Sequence, residues 1–153
     1  IMIIAFCGHR SIPDTETVYK KLKDELTNIF NNAEKHHLKL TFYCGGYGNF
    51  DFLAARTVNK LKDSFPDIAC LNIFVTPYIT ENYKYKNEQM RKIFDDIIYP
   101  PIESVPYRYA IPRRNEWIAT NADLLIAYVI YSWGVAAKML EYAKKRGKQI
   151  IMI

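Results

Sequence analysis

A chain of 153 residues, of which 50% are hydrophobic and 24% charged, has the length and composition of one folded domain spanning residues 1–153, which argues against intrinsic disorder. No apolar run approaches the ~20 residues that cross a bilayer, and the start Ile1-Met2-Ile3-Ile4 lacks the basic flank of a signal peptide, so we expect a cytoplasmic protein with no membrane partner. The formal net charge of +5 suits an anionic partner, nucleic acid included.

Apolar runs without polar alternation predict strands that are buried on both faces. These runs cover residues 1–6, 40–43, 71–75, 124–129 and 149–153. Between them, apolar residues at helical spacing predict a helix over residues 14–35, a second helix after Gly48, and a last helix that ends before Gly147. Alternating strands and helices predict a single-domain α/β fold, a Rossmann-like three-layer sandwich with a mostly parallel sheet.

Two glycine-containing turns follow the first two predicted strands. Gly8-His9-Arg10 follows the first, where backbone amides and Arg10 would bind a phosphate; His9 bonds either backbone or a ligand. Gly45-Gly46-Tyr47-Gly48 follows the second, and its glycines indicate either close approach of a ligand or tight helix–strand packing. Asp51 follows this turn and has two interpretations: it accepts a hydrogen bond from a ribose hydroxyl, or it is an ordinary acidic residue in the first turn of a helix. Neither a complete GxGxxG nor a Walker sequence is present, which disfavours dinucleotide oxidoreductases and ATPases.

Residues 77–112 form an irregular segment that holds five of the seven prolines and six of the twelve tyrosines. Within it we predict a short helix over residues 87–94 and a brief strand over residues 97–99. One interpretation is a lid whose tyrosines stack on a base, the candidates being Tyr78, Tyr83, Tyr107 and Tyr109. The other is a long crossover packed by its own tyrosines, and we favour it.

Polar groups flank the fourth predicted strand on both sides. Arg114 is a candidate phosphate clamp, with Asn115 and Glu116 contacting sugar or base; the alternative is a solvated helix start with Arg/Glu pairing. After the strand, Ser132-Trp133-Gly134 supplies a hydroxyl and free amides for a phosphate cradle, with Trp133 interpreted as a packing residue.

Cysteine and histidine usage predicts neither a disulfide nor a metal site. Cys7, Cys44 and Cys70 are odd in number, form no CxxC pair, and do not cluster with the histidines. Cys7 invites a nucleophile interpretation, but we favour a structural role because free cysteines are usually buried. We expect no metal and no cofactor.

The order of these motifs resembles the SLOG superfamily (the Smf/DprA and LOG proteins), specifically its YpsA-like branch, over nearly the whole chain. The matching segments are 8–10, 45–51, 114–115, 121–123, 132–134, 142–143 and 147–148. The resemblance implies a Rossmann-like domain that binds a nucleotide or nucleotide-derived small molecule, as a sensor or sequestering module. The ligand contacts that it implies are Gly8, Arg10, Gly45, Gly46, Gly48, Asp51, Arg114, Asn115, Ser132 and Gly134.

The LOG enzymes of the same superfamily cleave the N-glycosidic bond of nucleoside monophosphates with an arginine and a glutamate. Arg114 matches the arginine, but the position of the glutamate, counted from Gly134, is Lys138. We therefore assign no catalytic residue. A phosphoribohydrolase in which Glu116, Asp51 or Glu141 replaces the glutamate remains an alternative, as does nucleic-acid binding, because other SLOG members act in DNA uptake. LOG relatives commonly form homodimers, which makes a homodimer a further expectation.

Overall fold

The computed structural model describes residues 1–153 and contains one sheet of six parallel strands in the order β4-β3-β2-β1-β5-β6. The strands are β1 (Met2–Gly8), β2 (Leu40–Cys44), β3 (Cys70–Val75), β4 (Asp96–Ile98), β5 (Leu124–Tyr128) and β6 (Gln149–Met152). The helices are α1 (Thr15–His36), α2 (Asn49–Ser64), α3 (Glu81–Met90), α4 (Ala110–Asn121) and α5 (Val135–Lys145), and a 3₁₀ turn (Tyr107–Tyr109) precedes α4. The predicted α/β class and parallel Rossmann-like sheet are confirmed. No helix is long and apolar enough to cross a membrane.

Alternate residues of the central strands supply the two halves of the core, because successive side chains of a strand point to opposite faces. On one face, Ile4 and Phe6 of β1 belong to a cluster with apolar residues of α1 and α2. On the other face, Ala5 and Cys7 of the same strand belong to a cluster with α4 and α5. The sheet is therefore covered on both sides, as the lack of polar alternation in its strands predicts.

Helix α1 shows how local sequence sets an element of this fold. Asp14 caps it, since its Oδ1 accepts a hydrogen bond from the Thr17 amide at 3.1 Å. The helix ends where His37 adopts a left-handed conformation with φ 53° and donates its amide to the Ala33 carbonyl. The predicted range 14–35 thus agrees with the observed Thr15–His36 within one residue at each end.

The strand order places a crevice beside β1. The chain moves from β1 outward through β2, β3 and β4, and then returns to the other side of β1 with β5. The segments that leave β1 and β5 therefore diverge at the carboxyl edge of the sheet, where Gly8 lies opposite Tyr128. Ligands of open α/β sheets bind at such a change in strand order.

The irregular segment 77–112 is ordered by its own tyrosines. Tyr78 stacks on both Tyr83 and Tyr107, with ring centroids 4.3 and 4.6 Å apart. The three rings therefore cover one another, as the crossover interpretation expects. The predicted helix over residues 87–94 was misplaced: α3 runs from Glu81 to Met90, and Met90 is its one buried residue, so no apolar stripe marked its start.

Candidate functional site

A cavity of about 460 Å³ lies at the carboxyl edge of the sheet, in the crevice between the segments that follow β1, β2 and β5. Seven of the ten predicted ligand contacts line it: Gly8, Arg10, Gly45, Asp51, Arg114, Asn115 and Gly134. Gly46, Gly48 and Ser132 do not line it. The chain therefore brings together, from turns far apart in sequence, most of the residues that the motifs pointed to.

Arg114 is a buried cation held by the ends of two strands. Only 2% of the residue is exposed, and its Nη1 donates to the carbonyls of Gly45 at 2.9 Å and Val75 at 2.6 Å. Its Nε donates to Asn115 Oδ1 at 2.9 Å. Nη2 has no protein acceptor, although a buried guanidinium normally uses its donors. Because Arg114 lines the cavity, Nη2 is the nitrogen left to bind a ligand.

Asp51 is a buried carboxyl that lines the same cavity. It lies in the first turn of α2 and reaches back, so that its Oδ2 accepts a hydrogen bond from the Tyr47 amide at 3.2 Å. Burial raises the pKa of Asp51 from 3.8 to about 6, although the Tyr47 amide and the Arg114 guanidinium both oppose that rise. Oδ1 accepts no hydrogen bond from the protein, so this carboxyl retains an acceptor for a ligand hydroxyl.

Two cations lie against the Tyr47 ring beside the cavity, and a third, Arg10, is close enough to act on one of them. The ammonium of Lys86 lies 3.3 Å from the centre of the Tyr47 ring, and the guanidinium carbon of Arg114 lies 5.4 Å from it. Burial lowers the pKa of Lys86, and the charges of Arg114 and Arg10 lower it further. None of the three takes part in the four salt bridges of the structure. The site therefore carries positive charge that lacks a bonded carboxylate.

The glycines of the second turn serve packing within the protein. Gly46 has φ 69°, and a Cβ there would lie 2.5 Å from the Phe74 ring. Gly48 has φ 108°, and a Cβ there would lie 2.7 Å from the Cα of Arg10. Both conformations favour glycine, and both positions touch protein atoms. The tight-packing alternative accounts for these two glycines and joins the turn after β2 to the turn after β1.

The amino terminus of α5 opens onto the cavity. Gly134 caps it with φ 95° and without a side-chain hydrogen bond, and no atom lies within 4 Å of where its Cβ would stand. The first amide to bond back along the helix is that of Lys138, which donates to the Gly134 carbonyl at 3.1 Å. The preceding amides are without helical acceptors, and the positive end of the helix dipole lies there. Gly134, Val135 and Ala136 line the cavity, whereas Ser132 is exposed outside it.

His9 joins the turn after β1 to the segment after β5. Its Nε2 accepts hydrogen bonds from the amides of Ile130 at 2.9 Å and Tyr131 at 3.4 Å, which places the proton of the neutral ring on Nδ1. Partial burial lowers the pKa of His9 and so favours that neutral form. Of the two roles weighed from the sequence, the structure provides the backbone-bonding one.

Two of the carboxylates proposed to replace a LOG glutamate lie outside the cavity. Glu116 and Glu141 line a neighbouring groove of about 340 Å³ between α4 and α5, together with Lys138. Glu116 also lies 3.9 Å from Arg113, the surface pairing that the sequence allowed for this helix start. Asp51 is therefore the candidate carboxylate that shares the cavity with Arg114.

The two cysteines at the strand ends are poor nucleophiles. Cys7 donates to the Ala136 carbonyl at 3.2 Å, and burial raises the pKa of its thiol to about 12. Cys44 donates to the Asp51 carbonyl at 3.3 Å, and burial raises the pKa of its thiol well above its usual value. The reactive thiolate is thus strongly disfavoured at both positions, which supports the structural role.

Some residues of the site carried no recognisable sequence signal. Lys86 lies on α3, a polar helix whose sequence resembles a loop. Arg108 lies in the 3₁₀ turn before α4, yet it lines the cavity. The sequence allows a packing role for Trp133, but 69% of this residue is exposed at the cavity rim.

No protein-family model and no curated protein sequence matches the chain. Among solved structures it is similar to DNA processing protein A (DprA) from Streptococcus pneumoniae, with a TM-score of 0.64 and 14% identity over 99% of this chain and 50% of that one. It is also similar to DprA from Helicobacter pylori, which was described for its single-stranded DNA binding mode. That match has a TM-score of 0.58 and 17% identity, over 99% of this chain and 64% of that one. These likenesses show that the chain shares the Rossmann-like fold of the two DprA structures, and that it spans about half to two thirds of their length.

Proposed function

We propose that this chain binds a nucleotide or nucleotide-derived anion in the cavity at the carboxyl edge of the sheet, as a YpsA-like sensor or sequestering module. The observation that carries the proposal is the buried Arg114, whose Nη2 lacks a protein acceptor. A fixed guanidinium offers a phosphate a charge-assisted hydrogen bond without the loss of side-chain entropy that a surface arginine incurs.

Two further features of the cavity, taken together, suit a ligand that carries both a phosphate and a hydroxyl. The open amino terminus of α5 supplies amides and a positive dipole for phosphate. Asp51 has a free acceptor that would repel a phosphate but would accept a hydrogen bond from a ribose hydroxyl. A ligand that carries both a phosphate and a hydroxyl satisfies both groups.

The test is thermal unfolding with a panel of nucleoside phosphates, ADP-ribose, dinucleotides and cyclic nucleotides in large excess. A ligand at about 100 times its dissociation constant raises the free energy of unfolding by roughly 2.7 kcal/mol, which gives a visible increase in Tm. Arg114→Met should weaken binding roughly 10- to 100-fold, because one charge-assisted hydrogen bond is lost. Arg114→Lys keeps the charge and should retain part of the affinity.

Arg113→Met is the matched control. Arg113 directly precedes Arg114 on α4, but its side chain is exposed and lies near Glu116. This variant should leave affinity unchanged. The proposal fails if no compound raises Tm, or if Arg114→Met binds as tightly as the unaltered protein.

Binding of single-stranded nucleic acid is a second candidate, favoured by the description of the Helicobacter pylori DprA and by the cations Arg10, Lys86 and Arg108 beside the cavity. A strand that neutralises several cations releases counterions, so its affinity falls steeply with salt. A single nucleotide in the pocket would show a shallower dependence. Titrations at two salt concentrations therefore separate the two candidates.

Hydrolysis of a nucleoside monophosphate, the reaction of the LOG relatives, would depend on Asp51. Its pKa of about 6 suits proton transfer near neutral pH. Chromatography of AMP incubated with the protein would detect free adenine and ribose phosphate. Release that persists in Asp51→Asn would exclude this residue as the acid or base.

A further inference from the structure

Two aromatic rings are stacked and exposed at the rim of the cavity. Trp133 is 69% exposed and Tyr131 is 45% exposed, and their ring centroids lie 5.0 Å apart with planes 23° from parallel. Trp133 lines the cavity that contains Arg114. Three of the four tyrosines that the sequence offers for stacking, Tyr78, Tyr83 and Tyr107, stack instead on one another in the segment 77–112.

His9 holds the Tyr131 side of the aromatic pair in place. The His9 ring lies 4.9 Å from the Tyr131 ring, and its Nε2 accepts the backbone amides of Ile130 and Tyr131. His9 also meets Tyr128 of β5 edge to face at 5.9 Å. These contacts tie the segment after β5 to the turn after β1. A surface that is already ordered loses less entropy when a ligand settles on it.

The composition of the rim favours one kind of occupant. Ile130 and Val135 are also more than half exposed, so this short segment presents an apolar surface directly beside a cationic cavity. A flat ring covalently attached to a phosphate would match both parts, since every nucleobase has a π face that stacks on an aromatic side chain. Trp133 directly precedes Gly134, which caps the open amino terminus of α5.

We propose that Trp133, backed by Tyr131, is the platform on which the base of the ligand stacks while its phosphate binds at Arg114 and the start of α5. This assignment rests on the proposed function and gives it a specificity: the site takes ligands that carry a base and discriminates against base-free sugar phosphates. A mononucleotide and a single strand share this chemistry, and the experiment below distinguishes them.

The two tryptophans of the chain allow a direct optical test. Trp117 packs against Tyr43 on the inner side of α4, with ring centroids 5.5 Å apart, and does not line the cavity. Trp117→Phe therefore leaves Trp133 as the one indole reporter, and Trp133→Phe leaves Trp117. In Trp117→Phe, AMP should change the emission of Trp133, whereas ribose 5-phosphate should bind without changing it. In Trp133→Phe neither compound should change the emission of Trp117.

Affinity measured by calorimetry gives the second readout. Trp133→Ala should weaken AMP roughly 5- to 150-fold, the loss expected for one base–aromatic stack, and Trp133→Phe should restore part of it. Ribose 5-phosphate should bind both variants as it binds the unaltered protein. Short oligothymidylate in place of AMP identifies the source of the base: if it alone binds and perturbs Trp133, the ligand is a strand.

Two results overturn the platform and leave the phosphate site intact. One is that AMP binds without changing the emission of Trp133 and also binds Trp133→Ala as tightly as it binds the unaltered protein. The other is equal weakening of AMP and ribose 5-phosphate in Trp133→Ala, which would make Trp133 a support for the loop. If AMP, ribose 5-phosphate and oligothymidylate all fail to bind the unaltered protein, the proposed function fails together with the platform.

Discussion

Replacing Asp51 by Asn should stabilise the protein at neutral pH. Burial raises the pKa of Asp51 from 3.8 to about 6, so the ionised carboxylate is less stable in the folded protein than in water. Asn has nearly the same shape as a protonated Asp, and its side-chain oxygen still accepts the Tyr47 amide that bonds Asp51 at 3.2 Å. The exchange therefore removes a buried charge while keeping its principal hydrogen bond.

The magnitude follows from the pKa difference. At about 1.4 kcal/mol for each pKa unit, the rise from 3.8 to about 6 corresponds to about 3 kcal/mol of lost stability once the carboxylate is ionised. Because the pKa is raised on folding, the folded protein binds the Asp51 proton more tightly than the unfolded chain does. The favourable contribution is complete below pH 3.8, declines as pH rises toward 6, and is absent above it.

Urea unfolding of both proteins between about pH 4 and 8 measures this directly. The two free energies of unfolding should be nearly equal at the acid end, and the variant should gain up to about 3 kcal/mol at the alkaline end. Asp24→Asn, on the exposed face of α1, controls for the loss of one negative charge from a protein of net charge +5. A difference that does not change with pH, or a variant less stable at pH 8, would refute the reasoning.

Two further predictions concern the strand ends. Gly46→Ala should destabilise the fold by roughly 2–4 kcal/mol in urea unfolding, because it adds a contact of 2.5 Å with Phe74 to the strain of φ 69°. Gly147→Ala is the control, because Gly147 has nearly the same φ of 67° but no atom within 4 Å of the position of an added Cβ. It should lower the free energy of unfolding by only about 1–2 kcal/mol. Equal losses in the two variants would contradict the packing role of Gly46. Iodoacetamide at pH 8 should leave Cys7 and Cys44 unlabelled in the folded protein, because burial raises the pKa of both thiols. Mass spectrometry of the treated protein measures the labelling. Rapid labelling of Cys7 would support the nucleophile interpretation.

Most of the fold was predictable because its signals are local and repeated. The runs around β1, β2, β3, β5 and β6 are mostly apolar on both faces, with Thr41 and Asn72 as buried polar exceptions, and α1 repeats its apolar residues at helical spacing. Helix α3 was misplaced because it buries only Met90 and so has no periodic stripe to read. A helix that buries few side chains has no need of apolar residues at helical spacing, so its sequence does not show where it begins and ends.

The position of the candidate cavity was predictable from the sequence, whereas the distances between its side chains were not. Glycines after the strands indicated where the turns lie. The sequence does not show whether a glycine is needed because a ligand approaches it or because a protein side chain does, as Phe74 does at Gly46. The depth of Arg114 depends on carbonyls of two other strands, and the approach of Lys86 to Tyr47 depends on where α3 packs. Such distances arise from tertiary structure and leave no trace in spacing.

Three unfavourable electrostatic features of this protein lie in or beside one cavity. Asp51 keeps a charge that burial opposes, Arg114 keeps a donor without an acceptor, and Lys86 is repelled by two neighbouring cations. An isosteric neutral residue at position 51 would be more stable by the reckoning above, so stability does not explain the carboxylate. A ligand that neutralises the cations and donates to the carboxylate would remove all three costs at once. The coincidence of these costs in and beside a cavity at the change of strand order is the strongest physical reason to propose it as a binding site.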